Sequence, residues 1–363
     1  MGTVEQMEIL IRDMQPDEVK EAVALAKKSF GLIEGLFVPA PKLALVALSG
    51  GKVVGGIFYS VKISDGKTFG FIDYVFTDPA LQGQGIGRRL CEACFDALWK
   101  LGCDALLTFV QDDNVSSWRL FVTNGFVRSS LPKMVKRFGL LSALKAKLLF
   151  STFGLCVGYD FYLALPDKGE IRAYEKEESN PRQILAYILI NLLFAAGIIL
   201  TASARLTALA AFVYVFLGCV LAGYIGTLFS KQTWHFRLTG GGALISLAAA
   251  IVQFWPMNGG WYPQNYENSA TFKRDMAFNS IVVWLFLLFL SASRLLITEA
   301  APLVTGIWSI ATVLLVIRCI PLSPISSYGA GRVLRWNKTV YGILAGLSIL
   351  VAFVIPLAMA LFS

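Results

Sequence analysis

Gln82-Gly83-Gln84-Gly85-Ile86-Gly87-Arg88-Arg89-Leu90 decides how the first half of this chain is read. Just before it, the apolar run Phe71-Ile72-Asp73-Tyr74-Val75-Phe76-Thr77-Asp78-Pro79 ends in a turn, and an amphipathic segment, Arg88 to Leu101, follows. Strand, glycine-rich turn and helix in that order aim free backbone N–H groups and a positive helix end at an anion. Glycines at 83, 85 and 87 let the main chain come close to a diphosphate. A dinucleotide-binding fingerprint would instead need an acid about twenty positions on, at the tip of the next strand. Here the next strand, Asp104 to Val110, runs into Gln111-Asp112-Asp113.

The pattern Gln-x-x-Gly-x-Gly after a proline-containing turn resembles the acyl-CoA pyrophosphate loop of the GNAT N-acetyltransferase superfamily. Asn114, Ser117 and Phe121, followed by Asn124-Gly125-Phe126, are similar to the second half of that family's signature, where an Asn ends the fifth strand and a Gly-Phe pair starts the sixth. The resemblance covers roughly residues 7 to 165, within a first domain spanning 1–165. It implies a mixed, mostly antiparallel central sheet flanked by helices, with acetyl-CoA as co-substrate. It also implies that the backbone of Gln82, Gly83, Gln84, Gly85, Ile86, Gly87 and Arg88 takes the pyrophosphate. The main chain around Val75, Phe76 and Thr77 would polarise the thioester carbonyl, and Asn114 would contact the cofactor arm.

Two positions depart from the family pattern. Where many members carry a fifth-strand acid as base, this chain has Phe109, and where many carry a Tyr acid it has Phe121. Asp73 on the fourth strand is then the candidate base, acting through water, with Asp112 and Asp113 at the cleft mouth as runners-up. All three have an alternative reading as solvated loop or strand-edge acids. Strand parity puts Tyr74 opposite Asp73.

The pattern of the first domain gives an opening strand at Met7–Met14, a helix from Pro16 through Ser29, and a hairpin of Leu43–Leu48 with Lys52–Ile63 around Ser49-Gly50-Gly51. A fourth strand covers Gly66–Thr77 and a last one Val157–Leu165. Between the sixth and last strands lies an insert, 133–153. In it Lys133, Lys136, Arg137, Lys145 and Lys147 alternate with Phe138, Leu140, Leu141, Leu144, Leu148, Leu149 and Phe150. Basic against apolar at helical spacing is the composition of an interfacial helix, and equally of a helix packed on the sheet or on a membrane domain. Cys91-x-x-Cys94 inside a helix, with Cys103 nearby, reads as buried thiols, since no second ligand pair accompanies it.

With 363 residues the chain has room for two domains. A mean hydropathy of +0.64 with 15% charged residues is too apolar for a soluble globule. The apolarity begins after a charged linker, 166–183, so residues 184–363 read as an α-helical multi-pass membrane domain. The net charge of +8 fits topology and lipid contact. No aromatic and basic stripe points to nucleic acid. Met1 to Leu10 carries acids and no long apolar run, unlike a signal peptide, and position 6 lacks the Ser or Thr of a myristoylation signal.

Apolar runs fall at Ile184–Ala202, Leu206–Phe229, Leu238–Trp255, Ile281–Leu296, Pro302–Ile320 and Val340–Phe362, most of them long enough to span. Treating Leu238–Trp255, which contains Gly240-Gly241-Gly242, as re-entrant or surface-lying puts Lys231, Arg237, Lys273, Arg274, Arg318, Arg332, Arg335 and Lys338 on the cytoplasmic side. Five crossings and an external C-terminus follow. Pro321-Leu322-Ser323-Pro324 and Gly329 to Lys338, with Gly260-Trp261-Tyr262-Pro263, resemble archaeal-type site-2 protease membrane metallopeptidases over residues 205 to 340. Zinc hydrolysis needs two His one helical turn apart, a Glu base and a third ligand. This chain has one His, His235, placed in a loop, and after residue 183 only Glu267, Asp275 and Glu299 as acids. The resemblance therefore implies a metal-free, degenerate relative.

Together these readings give a membrane-anchored N-acetyltransferase with its first domain in the cytoplasm. Its acceptor would be a membrane-proximal primary amine, lipid-linked or on a membrane protein. A non-catalytic acyl-CoA-binding sensor acting through its membrane domain stays open beside it, as does a transporter or lipid-binding module.

Overall fold

The computed structural model describes residues 8–112, 114–156, 158–166, 179–238, 259–263, 270–297, 300–321 and 329–362. Contacts divide the chain into two compact units. The first comprises Met1–Val110, Ser116–Gly154 and Asp160–Glu175; the second comprises Gln111–Val115, Leu155–Tyr159 and Lys176–Ser363.

The first unit is built on a seven-stranded sheet: β1 (Leu10–Asp13), β2 (Leu43–Ser49), β3 (Lys52–Ser64), β4 (Lys67–Thr77), β5 (Ala105–Gln111), β6 (Val127–Arg128) and β7 (Tyr159–Ala164). The spatial order is β1-β2-β3-β4-β5-β7-β6. The β1–β2, β2–β3, β3–β4 and β6–β7 pairs are antiparallel, and β4 and β5 are parallel. That is the mixed, mostly antiparallel sheet expected.

Helix α1 (Val19–Glu34) covers one face, where Ala22, Leu25 and Ala26 pack on Val46, Phe58, Tyr74 and Phe76. Helix α2 (Ile86–Lys100) covers the other, where Ile86, Leu90, Cys94 and Leu98 meet Ile57, Ile72 and Leu106. α1 runs five residues past Ser29, and the opening strand is confined to Leu10–Asp13. α3 (Val115–Val122) follows β5.

The insert folds as two helices, α4 (Leu131–Phe138) and α5 (Leu140–Leu148). They break at Gly139, whose φ of +83 is costly for any residue with a Cβ. α5 is packed on the sheet: buried Ser142 donates to the Ser64 carbonyl, and its Oγ lies 2.8 Å from Asp65 Oδ2. The ring of Phe69 meets those of Phe138 and Phe150.

The second unit is helical: α6 (Asn180–Thr201), α7 (Arg205–Thr227), α8 (Ala270–Ser293), α9 (Pro302–Arg318), α10 (Ala330–Trp336) and α11 (Lys338–Ile349). α11 continues through a π-helical turn, Leu350–Val354, into Ile355–Phe362. Among the described residues four helices are long and apolar enough to cross a membrane: α6, α7, α8 and Lys338–Ala358. α9 is apolar but shorter, at 17 residues. Buried polar groups bond between elements. Asn279 Nδ2 donates to the Gly223 carbonyl (2.6 Å), Trp284 Nε1 to Ser348 Oγ (2.9 Å), and Trp261 Nε1 to the Val220 carbonyl (2.8 Å). In an apolar surrounding such pairs specify which helices meet.

His235, expected in a loop, lies instead on β8 (Trp234–Leu238), which pairs with β9 (Gly259–Pro263). Alternating Trp234, Phe236 and Leu238 gives the period of a strand. Apart from Leu238, the run Leu238–Trp255 lies outside the described residues, as does most of the 166–183 linker.

Candidate active site

β4 and β5 pair only over Phe69–Ile72 and Ala105–Thr108. β4 nevertheless continues to Thr77 and β5 to Gln111. The two strands therefore part after Ile72 and Thr108, leaving Asp73–Thr77 with no registered partner on the β5 side. An irregularity in the β3–β4 register begins this opening. Phe58 pairs with Tyr74 and Tyr59 with Ile72, so Asp73 is an extra residue on β4.

The bulge inverts the face alternation. Ile72 and Val75 both pack on the α2 side, whereas Tyr74 and Phe76 join the α1-side core. Tyr74 is buried, its ring against Phe30, Phe58 and Phe153, and its hydroxyl donates to the Phe37 carbonyl at 3.2 Å.

Asp73 is half-buried and accepts a 3.3 Å bond from Ser60 Oγ. Burial pushes its carboxyl up to about 7, against the opposing pull of the Ser60 hydroxyl and the Lys62 charge. A carboxyl at that value holds and releases a proton near neutrality, as a general base must.

Beyond Thr77, Asp78 caps a short turn, Pro79–Leu81, by accepting from Ala80 N–H at 3.0 Å. Gln82, Gly83, Gln84 and Gly85 are exposed. Gly83 and Gly85 have φ of +85 and +77, the left-handed region in which glycine carries no penalty. Gly85 is the N-cap of α2, and the first intrahelical bond runs from Arg89 N–H to its carbonyl. The N–H groups of Ile86, Gly87 and Arg88 lie before that bond, at the positive end of a 15-residue helix. A Cβ on Gly87 would lie 3.7 Å from Thr77 Oγ1. Its α-carbon thus faces the end of β4.

The neighbouring arginines are occupied. Arg88 Nε bonds Glu92 at 2.8 Å, and Arg89 Nη2 donates to the Ile9 carbonyl at 2.8 Å. Backbone N–H groups are therefore what this turn offers an anion. The strand end and the loop, which carry most of the expected cofactor positions, are brought together by the β4-turn-α2 connection.

Other expected positions fare differently. Asn114 lies three residues past the end of β5, in the turn closed by its own N–H to the Gln111 carbonyl, and not at the strand's end. It is exposed and groups with the second unit. Asp112, expected at the cleft mouth, is instead 3% exposed and bonded to Arg332 Nη2 at 2.6 Å. Its carboxylate is thus engaged as one half of a buried ion pair. Asp113 lies outside the described residues.

Phe109 packs on Phe71 and Phe161, and Phe121 on Phe95 and Phe126, so both positions are filled by hydrocarbon core. Cys91, Cys94 and Cys103 are buried, and burial pushes their thiols up, which suits packing rather than redox work. Among the described residues no three His, Cys, Asp or Glu side chains cluster as a metal would require.

The bulge itself was not legible. Its only trace in sequence is that Ile72 and Val75, three apart, are both apolar, whereas strict alternation would pair Ile72 with Tyr74.

The family model described as Acetyltransferase (GNAT) family matches residues 5–126. A GNAT family N-acetyltransferase, YhbS, from Escherichia coli in complex with CoA is 25% identical, covering 34% of this chain and 76% of that one, with a TM-score of 0.29. A GNAT family acetyltransferase from Brucella melitensis in complex with acetyl-CoA is 24% identical over 31% of this chain and 82% of that one, with a TM-score of 0.28. The glucosamine N-acetyltransferase region of a fungal multi-domain GH3 beta-N-acetylglucosaminidase is 20% identical; the match covers 35% of this chain and only 18% of that one, with a TM-score of 0.31. No curated protein matches the chain. The chain thus carries a GNAT acetyltransferase domain over residues 5–126, followed by a helical region.

Proposed function

We propose, taking an acetyl-CoA-dependent acetyltransferase domain as the premise, that this protein is a membrane-anchored N-acetyltransferase acting on a primary amine at the bilayer. The observation that carries the reading is the parting of β4 and β5 after Ile72 and Thr108, opposite a glycine turn at the N-terminus of α2. Free main-chain donors on both sides of one opening suit a long anionic thioester. The backbone of Gln82–Arg88 takes the diphosphate, and the backbone of Val75, Phe76 and Thr77 faces the thioester carbonyl. Asn114 is assigned to the cofactor arm.

Asp73, acting directly or through one water, takes a proton from the acceptor ammonium. The neutral amine nitrogen then forms a bond to the thioester carbon as the carbon–sulfur bond breaks. The second nitrogen proton leaves with the thiolate as free thiol, so an amide and CoA result. With Phe109 and Phe121 in the core, catalysis rests on orientation, carbonyl polarisation and Asp73.

The four long apolar helices support membrane anchoring, with the acetyltransferase domain in the cytoplasm, where acetyl-CoA is found. The acceptor is accordingly an amine on a lipid headgroup, a lipid-linked sugar or a membrane protein. Residues 184–363 are read as a metal-free site-2-protease-like domain after the charged linker 166–183. That reading rests on the likeness of Gly260-Trp261-Tyr262-Pro263 and of the Gly329–Lys338 run to that family's sequence pattern.

The same two phenylalanines favour a second reading, an acyl-CoA sensor without turnover. Reconstituted protein given acetyl-CoA and a panel of aminophospholipids, amino sugars and peptides, with thiol release as readout, separates the two. Amine-dependent release supports the transferase; tight acetyl-CoA binding without release for any amine supports the sensor.

A further inference from the structure

From Phe58 onward, alternate residues of β3 face α1 and the insert. Phe58 belongs to the α1-side core, whereas Ile57, Tyr59 and Val61 pack on the α2 side. Near the far end of the strand, Ser64 Oγ lies 3.1 Å from Ser142 Oγ of α5. Ser60 and Lys62 fall between these two contacts on the same face. The bond from Ser60 Oγ brings Asp73 to this face as well, through the bulge in β4. α1 covers Phe58 and Tyr74, and the insert covers Ser64 and Phe69. The strip between them, Ser60, Lys62 and Asp73, is half-buried and polar.

Among the described residues the Lys62 ammonium makes no ion pair or hydrogen bond. The acids near the β3–β4 turn have contacts of their own. Asp65 Oδ2 lies 2.8 Å from Ser142 Oγ, and Asp104 takes the Thr68 N–H at 2.7 Å with Lys67 at 3.9 Å. The carboxyl that feels the Lys62 charge is Asp73. A cation fixed beside the base works against any acceptor that brings only an ammonium. It favours one that brings an anion along with the amine, so the site discriminates by repulsion as well as by attraction. Two residues along a strand put Ser60 and Lys62 about 7 Å apart. The flexible lysine stem shortens that gap, so the anion sits a short alkyl spacer from the nitrogen. Phosphate suits the point charge of a lysine.

We infer that Lys62 selects the acceptor, holding the anionic group of a zwitterionic amine, such as an aminoalkyl phosphate, whose nitrogen lies at Asp73. The inference rests on the transferase reading and names the substrate class of the same site. Free aminoalkyl phosphates and ethanolamine headgroups of lipids share this chemistry.

The test is thiol release by the full chain in nanodiscs, given acetyl-CoA and matched amines. Phosphoethanolamine is compared with ethanolamine in solution, and discs doped with phosphatidylethanolamine are compared with discs doped with stearylamine. The phosphate-bearing amine of at least one pair is expected to lead by about tenfold or more in kcat/KM. A lead in solution identifies a free acceptor, and a lead confined to the discs identifies a lipid. Lys62→Met should bring that ratio toward one, mainly through KM, and Lys62→Arg should restore most of it. With ethanolamine, Lys62→Met should also move the ascending limb of the pH profile upward, because the cation holds the Asp73 carboxyl down. A wild type without preference would overturn the inference and leave the transferase reading standing. So would a Lys62→Met protein that slows both amines of a pair alike with the limb in place. Acetyl-CoA bound in calorimetry but released as thiol by no amine would overturn the transferase reading and the inference together.

Discussion

Gly87→Ala separates the fold of the glycine turn from its chemistry. Gly87 is the second residue of α2 and has an ordinary helical backbone, so alanine fits without strain. Its methyl would meet only Thr77 Oγ1, at an ordinary 3.7 Å. Helix propensity alone then favours the variant by about 1 kcal/mol, and thermal unfolding should move up or stay level. Binding should go the other way, because the methyl stands between the end of β4 and the N–H groups of the turn. Displacing the diphosphate from two charge-assisted bonds, at about 1.5 kcal/mol each, sums to about 3 kcal/mol, or roughly a hundredfold in Kd. Gly85→Ala serves as the contrast. At a φ of +77 it should cost about 1–2 kcal/mol of stability as well as binding. Titration calorimetry with acetyl-CoA and a thermal melt on each variant give both quantities. A Gly87→Ala protein with wild-type affinity would refute the loop assignment, and one that unfolds several degrees lower would refute the helical placement of residue 87.

Asp73 should give the rate an ascending pH limb centred near 7, which Asp73→Asn should remove while acetyl-CoA affinity stays within about threefold; an unchanged profile removes Asp73 as base. The folded protein keeps this proton up to about 7 whereas the ordinary value is 3.8, so Asp73 lowers stability as pH rises through that window, and the Asn variant should flatten the decline in a pH series of melts. Breaking the buried Arg332–Asp112 pair with Arg332→Met should cost about 3–5 kcal/mol, whereas adding Asp112→Asn should recover part of it; additive losses in urea unfolding would contradict a direct pair. Stoichiometric zinc is expected to be absent and chelators without effect on melting or turnover; metal analysis finding one zinc per chain would reverse the metal-free reading. For topology, a cysteine introduced at Asn337, the N-cap of α11, should resist membrane-impermeant labelling from outside, and external labelling there refutes five crossings with a cytoplasmic basic set.

The sequence by itself determined the elements whose signals are local. Gln82 to Gly87 marked a turn and a helix start because glycines and the following amphipathic period act over a few residues, and the structure begins α2 at Ile86. The apolar runs marked long helices because length and composition suffice, and among the described residues four helices meet the requirement for spanning. Tertiary contacts decided what those signals could not reach. The bulge at Asp73 depends on how β4 registers with β3, so no property of residues 71–77 alone sets which face Tyr74 takes. Asp112 read as a runner-up base at the cleft mouth or a solvated loop acid because its partner, Arg332, lies 220 positions away. The sidedness of α5 was open for the same reason. Its period announces two faces, but only the bonds from Ser142 to the β3–β4 turn decide that the small face goes in and the leucines stay out. Patterns record which residues share a face, and packing alone chooses what that face meets.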